Sequence, residues 1–360
     1  MGSGSKLKVV VLFGGKSGEH EVSLRSAASV IQQLDRARFE IIPVGVDKQG
    51  HWRLHRLEQL KPESGSLEIL ADSPEVRLEE LKADVVFPVM HGTYCEDGTL
   101  QGFLELNEVA YVGCGVLASS VGMDKEVAKR LARDAGIPIV PFVTAHHGTW
   151  RAKLPELRET IARELGFPCF VKPANTGSSL GVHKVKDAAS LEAALKDAFQ
   201  YGLKVLIEKA IAAREIEFSA LENPQGEPHI SIAGEIRPNH EFYSYEAKYL
   251  DDNGAELLIP AKLDQALMNQ GTEIARRAFQ ALECEGMARV DLFLDRNDGR
   301  LYFNEVNTLP GFTQISMYPK LWEASGVSYR ELLSRLIDLA LERHRRNREI
   351  LREFRAEKVV

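Results

Sequence analysis

The 360-residue sequence has only four cysteines, and none stands in a Cys-x-x-Cys pair. Cys95, Cys114, Cys169 and Cys284 are too scattered for a zinc site or a disulfide frame. They read as reduced thiols of a cytoplasmic protein. Long apolar runs are missing too, and none approaches the roughly 18 residues of a membrane span. The N-terminus, MGSGSKLK, lacks the apolar core of a signal peptide, and residues 1–5 read as a cloning remnant. There is no basic excess: the formal net charge is −7, which argues against a general nucleic-acid or membrane-surface binder. Repeats and low-complexity tracts are absent. What remains is an ordinary globular composition, 44% hydrophobic and 27% charged, in a chain long enough for two or three domains.

The chain opens on a β-branched run, Leu7 to Phe13, then Gly14-Gly15-Lys16-Ser17-Gly18, then a helical pattern from about Glu19 to Leu34. Strand, glycine turn and helix begin an α/β unit, and the helix N-terminus aims free N–H groups at the turn. The turn does not match G-x-G-x-x-G, so a dinucleotide site is set aside. Strands follow at Ile41 to Val46 and Asp84 to Met90, the latter running into His91. Ligands gather at the carboxyl ends of strands in open α/β sheets, and Glu19 and His91 both occupy such places. Further on, Cys169 to Lys172 reads as a strand leading into the small polar loop 173–181 and a return strand, Val182 to Val185. A lysine at a strand end beside a Gly/Ser loop suits a phosphate cradle, although an ordinary hairpin loop has the same composition. It is not a P-loop, because G-x-x-x-x-G-K-[ST] is absent. Residues 241–251, EFYSYEAKYLD, read either as an exposed loop or as a lid over a site. Leu263 to Leu282 is a long amphipathic helix, and the basic end of the last helix, 343–346, reads as solvated. The expected division is an N-terminal α/β domain over 1–122, a central part over 123–213 and a C-terminal part over 214–360.

One stretch concentrates polar chemistry. RVDLFLDRNDGRLYFNEVN, 289–307, holds two apolar runs around Asn297-Asp298-Gly299, a three-residue hairpin signal. A loop over 297–299 places Asp291 opposite Glu305 and Arg289 opposite Asn307, and alternation puts all four on one face. Two carboxylates repel unless a cation lies between them, and hard oxygen ligands suit Mg²⁺. The plain alternative is a solvated polar face. A one-residue slip would move part of the set to the other side.

GGKSGEHEVSL, HGTYCEDGTLQG, MDKEVAKRL, FVKPANTGSSLGV, VLIEKAIAAREIE, YEAKY, GMARVDLFL and NEVNTLPGFTQISMYPKL follow one another in this order. Together they resemble the D-alanine–D-alanine ligases, ATP-grasp enzymes of peptidoglycan synthesis, over nearly the whole chain. The resemblance implies a mixed α/β protein, with an N-terminal α/β domain before a two-part ATP-grasp fold. It implies ATP and two Mg²⁺ ions (Mn²⁺ as a substitute), two D-alanine molecules as substrates, and a cytoplasmic homodimer. In it, Lys125 and Lys172 would meet the ATP phosphates, with Ser178 and Ser179 in the loop beside them and Lys248 near the γ-phosphate. Glu208, Lys209, Ala210 and Ile211 would line the adenine, and Glu215 the ribose. Asp291, Glu305 and Asn307 would hold the metals. Glu19 would pair with the ammonium of the first D-alanine, His91 would lie near its carboxylate, and Ser316 would hold that of the second. Arg289 and the Gly311 N–H would form an oxyanion hole, and Glu19, Ser178 and Tyr249 a closing triad. The identity of the base, Tyr249 or Ser178, stays open. Tyr249 argues for an amine acceptor, since relatives that make D-alanyl-D-lactate lack this tyrosine. Two departures stand out: Cys95, where the family has glycine, and Gly122, where a larger residue is common.

Overall fold

Val9 to Phe13 are fully buried, which a strand achieves only when both faces of its sheet are covered. In the computed structural model, which describes residues 5–177, 180–238 and 255–352, this run is the central strand of a five-stranded sheet. The first half of the chain comprises β1 (Leu7–Gly14), α1 (His20–Gln33), β2 (Phe39–Val46), β3 (Trp52–Leu54), α2 (Leu78–Leu81) and β4 (Val85–Pro88). It continues with α3 (Thr99–Leu106), β5 (Ala110–Tyr111), α4 (Val116–Met123), α5 (Lys125–Asp134), β6 (Phe142–His146), α6 (Leu154–Glu164) and β7 (Cys169–Pro173). The first sheet has the order β3-β2-β1-β4-β5, with β1 parallel to β2 and β4. Val9, Val11 and Phe13 face one core, whereas Val10 and Leu12 face another with Leu100, Leu104 and Tyr111. The turn after β1 needs glycine: at Gly14, φ is +90° and a Cβ would lie 2.3 Å from the Val46 carbonyl oxygen.

The second half comprises β8 (His183–Val185), α7 (Leu191–Ala198), β9 (Lys204–Lys209), β10 (Ala213–Leu221), β11 (His229–Ile230), β12 (Gly234–Pro238) and β13 (Ala255–Leu258). It ends with α8 (Gln265–Ala281), β14 (Met287–Asp295), β15 (Leu301–Asn307), α9 (Met317–Ala324) and α10 (Tyr329–Glu349). A second sheet, β6-β9-β7-β8, packs its apolar face on α6 and α7. A third, β13-β12-β10-β14-β15, shares a core with α8 and with Ala128 and Ala132 of α5. So α5, which precedes the second sheet in sequence, packs on the third. The last helix returns to the first sheet, where Leu332, Leu333, Leu336 and Ile337 join the core of Val9 and Phe13.

Two expectations change. The basic end of α10 is not wholly solvated: Arg343 is buried, donates to the Tyr111 carbonyl at 2.8 Å and to that of Gly113 at 2.5 Å, and lies over the Tyr111 ring. The hairpin loop has four residues, 296–299, because the Asp295 N–H reaches the Arg300 carbonyl. Asp291 still faces Glu305 and Arg289 still faces Asn307, since a bulge at Asn304 takes up the offset. That bulge also switches the phase of β15. Leu301 and Phe303 point to the core, and beyond the bulge it is Val306 that does so. Strict alternation would have put Phe303 on the polar face with Glu305.

Candidate active site

The turn after β1 places Glu19 at the N-cap of α1, and β4 delivers His91 beside it. The Ser17 hydroxyl donates to the His91 carbonyl at 2.5 Å, tying the two strand ends together. His91 is buried, with Nδ1 3.5 Å from Glu96 Oε1 and Nε2 3.2 Å from the Ser26 hydroxyl. Glu19, His91 and Glu96 each bring one ligand-type atom within 4.8 Å of the others. Burial alone pushes the imidazole pKa down. The hydrogen bond and charge of Glu96, the charge of Glu19 and a backbone hydrogen bond at Leu309 outweigh it, so the pKa is raised. His91 lies between two carboxylates that favour its cationic form. Ser26 also accepts the Phe312 N–H at 3.3 Å, which brings the loop after β15 to the same place. From the other side, a Cβ on Gly177 would lie 3.0 Å from Glu19 Oε1, so the loop after β7 closes on Glu19.

The second group is cationic. Lys125, first residue of α5, donates to the Thr176 carbonyl at 2.8 Å and lies 2.9 Å from Glu305 Oε2. Lys172 on β7 lies 2.5 Å from Glu208 Oε2 on the adjacent strand β9. Lys129 lies 2.6 Å from the other oxygen, Glu208 Oε1. Burial raises the Glu208 carboxyl pKa, and the two lysines more than reverse that. The Glu208 side chain thus faces the lysines. At the end of β9, Lys209 is exposed and donates its N–H to the Pro141 carbonyl, while the Ala210 N–H reaches that of Pro168. Ile211 follows, and Glu215 stands on β10 opposite Phe293.

The third group is the hairpin. Arg289 forks onto Asp291, with Nε to Oδ1 at 2.8 Å and Nη2 to Oδ2 at 2.7 Å, and its Nε is 3.1 Å from Glu217. Asn307 Nδ2 donates to Asp291 Oδ2 at 2.9 Å. Burial opposes the Arg289 charge, but Asp291 and Glu217 hold its pKa well above the ordinary value. Asp291 and Glu305 carboxylates with the Asn307 carboxamide form a hard-oxygen donor set that fits Mg²⁺. Beyond β15, Gly311 comes so close to Ser316 that a Cβ would sit 2.8 Å from its hydroxyl. Ser316 stands at the N-cap position of α9, where its hydroxyl accepts the Thr313 N–H at 2.9 Å and makes no capping bond to the helix. Ser178, Ser179, Lys248 and Tyr249, with the expected lid at 241–251, lie outside the described residues.

Four neighbours of these groups have no role assigned from the sequence: Ser26, Glu96, Lys129 and Glu217. Lys129 is four residues after Lys125 and so on the same helix face. Glu217 alternates with Glu215 on β10 and pairs with Asp291 across the ladder. Glu96 lies within HGTYCEDGTLQG without its pairing to His91 being legible there, and nothing local marks Ser26. The two departures also resolve. Cys95 is buried, and the left-handed residues of its turn are Gly92 and Tyr94, so Cys95 carries no such strain. At Gly122 a Cβ would lie 2.9 Å from Thr308 Cγ2 and 3.1 Å from Val306 Cγ1, so β15 leaves no room for a side chain. A cavity of about 540 Å³ between α4 and the third sheet, lined by Leu117, Glu222, Cys284 and Glu285 among others, contains none of the residues above.

The three sheets, with the hairpin and the Lys172 strand converging, have the architecture of an ATP-grasp ligase preceded by an α/β domain. The family model described as D-ala D-ala ligase N-terminus matches residues 8–114, and that described as D-ala D-ala ligase C-terminus matches 131–338. The D-alanine--D-alanine ligase A of Bradyrhizobium diazoefficiens is 54% identical over 97% of this chain and 99% of its own. The D-alanine--D-alanine ligase of Caldicellulosiruptor bescii is 48% identical over 96% and 98%. Among solved structures, the D-alanine-D-alanine ligase from Coxiella burnetii superposes with a TM-score of 0.77 at 36% identity, covering 96% of each chain. VanG D-Ala:D-Ser ligase from Enterococcus faecalis does so with 0.80 at 33%, covering 93% of this chain and 100% of that one. The chain belongs to the D-alanine–D-alanine ligase family.

Proposed function

We propose that this protein joins two D-alanine molecules into D-alanyl-D-alanine at the expense of ATP, for peptidoglycan precursor synthesis. The observation that carries the site reading is the placement of Arg289, Asp291, Glu305 and Asn307 on one face, with Lys125 bridging from Glu305 to the loop after β7. That arrangement joins a metal-type donor set to a phosphate-type cation at the meeting of two sheets.

A carboxylate is a poor electrophile, so the first D-alanine must be activated. Its carboxylate oxygen attacks the γ-phosphorus, the bond to the β-phosphate oxygen breaks, and ADP leaves an acyl phosphate. The amine of the second D-alanine then attacks the carbonyl, inorganic phosphate departs and the amine proton passes to a base. Phosphoryl transfer asks for positioning and charge neutralisation. Lys125 and Lys172 supply cations, and Asp291, Glu305 and Asn307 would hold Mg²⁺, which spreads phosphate charge when bound. Glu19 takes the first ammonium and cationic His91 its carboxylate. Ser316, at the start of α9, takes the second carboxylate. Arg289 and the Gly311 N–H steady the tetrahedral oxyanion, where one donor is typically worth about 10²–10³ in rate. The adenine stretch 208–211, the ribose contact at Glu215 and the roles of Ser178, Ser179, Lys248 and Tyr249 follow the family pattern.

A coupled or ³¹P assay with ATP, Mg²⁺ and D-alanine tests the reading. ADP and phosphate should appear with D-alanine alone. D-serine is the specific rival acceptor, given the VanG likeness. Turnover that needs D-serine or D-lactate as the second substrate would overturn the dipeptide assignment. We also propose a cytoplasmic homodimer formed through N-terminal contacts. Exposed Phe103 and Leu106 of α3, with Leu117 of α4, support that surface. A monomer by sedimentation at micromolar concentration would refute it. No helix among the described residues is long and apolar enough to cross a membrane.

A further inference from the structure

Lys129 has no exposed surface; burial lowers its pKa, while Glu208 beside it favours the ammonium form. A fully buried lysine is rare and unfavourable unless paired. Its partners are Glu208 Oε1 at 2.6 Å and the Phe303 carbonyl at 3.2 Å. Glu208 holds a second lysine on its other oxygen, Lys172 at 2.5 Å. The two lysines differ in access: the Lys172 side chain keeps 10% of its surface, whereas that of Lys129 keeps none. One turn before Lys129 on the same helix, Lys125 is partly open and reaches the loop after β7. Helix α5 thus offers one cation to the site and hides another behind it.

We infer that Lys129 is a positioning residue: it neutralises Glu208 from behind, so that Lys172 can leave that carboxylate for the phosphates of ATP. The inference rests on the ATP reading above. With both lysines the cluster carries one net positive charge. Without Lys129, Glu208 and Lys172 form a closed neutral pair. Lys172 would then have to strand a buried carboxylate in order to reach a phosphate, and a buried charge left without a partner is strongly unfavourable. The packing of Lys129 against the Phe303 carbonyl ties this arrangement to the metal-bearing strand, two residues before Glu305.

The test is a double-mutant cycle on the full-length protein. It reads binding of the β,γ-imido analogue of ATP with Mg²⁺ by calorimetry, binding of adenosine, thermal midpoint, and steady-state kinetics. Lys129→Met should weaken analogue binding about 10-fold or more, while adenosine binding changes less than about 2-fold, because the effect falls on the phosphates. KM for ATP should rise more than kcat falls, and KM for D-alanine should stay level. In a Glu208→Gln background, adding Lys129→Met should change analogue binding by less than about 3-fold, since the charge to be neutralised is gone. Should Lys129→Met not fold, Lys129→Gln keeps a hydrogen-bond donor without the charge and carries the same expectation. Analogue binding equal to that of the unmodified protein would overturn the inference. So would an equal loss for adenosine, or an undiminished effect in the Glu208→Gln background. If the unmodified protein bound no analogue, the ATP reading itself would fall.

Discussion

At the scale of single residues, the site consists of charges that are satisfied by one another. Arg289 is held by Asp291 and Glu217, Lys125 by Glu305, and His91 by Glu96. The His91 pair gives a pH prediction with a definite sign. The folded-state pKa of His91 is raised, so its contribution to stability is complete below the unfolded value, about 6.5, and is lost as pH rises through the folded value. Glu96→Gln removes the main opposing charge. It should lower the thermal midpoint most at acidic pH, with the difference from the unmodified protein shrinking towards alkaline pH. The rise of KM for the first D-alanine with pH should move to lower pH, as expected for losing a close opposite charge. An unmoved profile would mean that Glu96 does not hold the His91 proton.

Among the elements, the β14–β15 hairpin shows how a strand serves a core and a site together. Leu292 and Leu294 of β14 and Leu301 and Phe303 of β15 fill the core beneath α8. Arg289 and Asp291 take the opposite face by simple alternation. Glu305 and Asn307 join them only because the bulge at Asn304 reverses the alternation of β15. Deleting Asn304 removes the extra residue and leaves Phe303, Glu305, Val306 and Asn307 in plain alternation, with Phe303 and Val306 inward and Glu305 and Asn307 outward, so that variant should fold and keep most of its turnover. Deleting Val306 instead puts Glu305 and Asn307 on opposite faces, and we expect turnover to fall more than about 100-fold, since one misplaced oxygen set is enough to lose positioning. Equal turnover in the two deletion variants would show that the phase of β15 does not matter to the site. Asn297-Asp298-Gly299 marks the turn, and Gly299 is indeed left-handed with φ +69°. The bulge has no comparable mark, because only the competing demands of the core and of the polar face call for it.

For the whole molecule, the last helix closes the chain on its first domain, and Arg343 is its anchor. Replacing Arg343 with Met would leave the Tyr111 and Gly113 carbonyls without their donor. Unsatisfied buried acceptors cost roughly 1–3 kcal/mol each. The thermal midpoint should fall, with KM for ATP and D-alanine unchanged; an unchanged midpoint would mean that water replaces the guanidinium. Seen from the sequence, Arg343 looked like part of a solvated basic end, since helix periodicity does not say what lies opposite a face. The sequence by itself determined the strands, the helices and the motif order that marks the family, because β-branched runs, 3.6-residue patterns and glycine turns are local signals. It also named the polar groups of Arg289 to Asn307. Only the tertiary structure decided which charges meet. Glu208 meets two lysines, Lys172 on one oxygen and the buried Lys129 on the other, and Glu96 and Ser26 close on His91. Those pairings join segments distant in sequence through desolvation and Coulomb attraction, and neither leaves a local pattern to read.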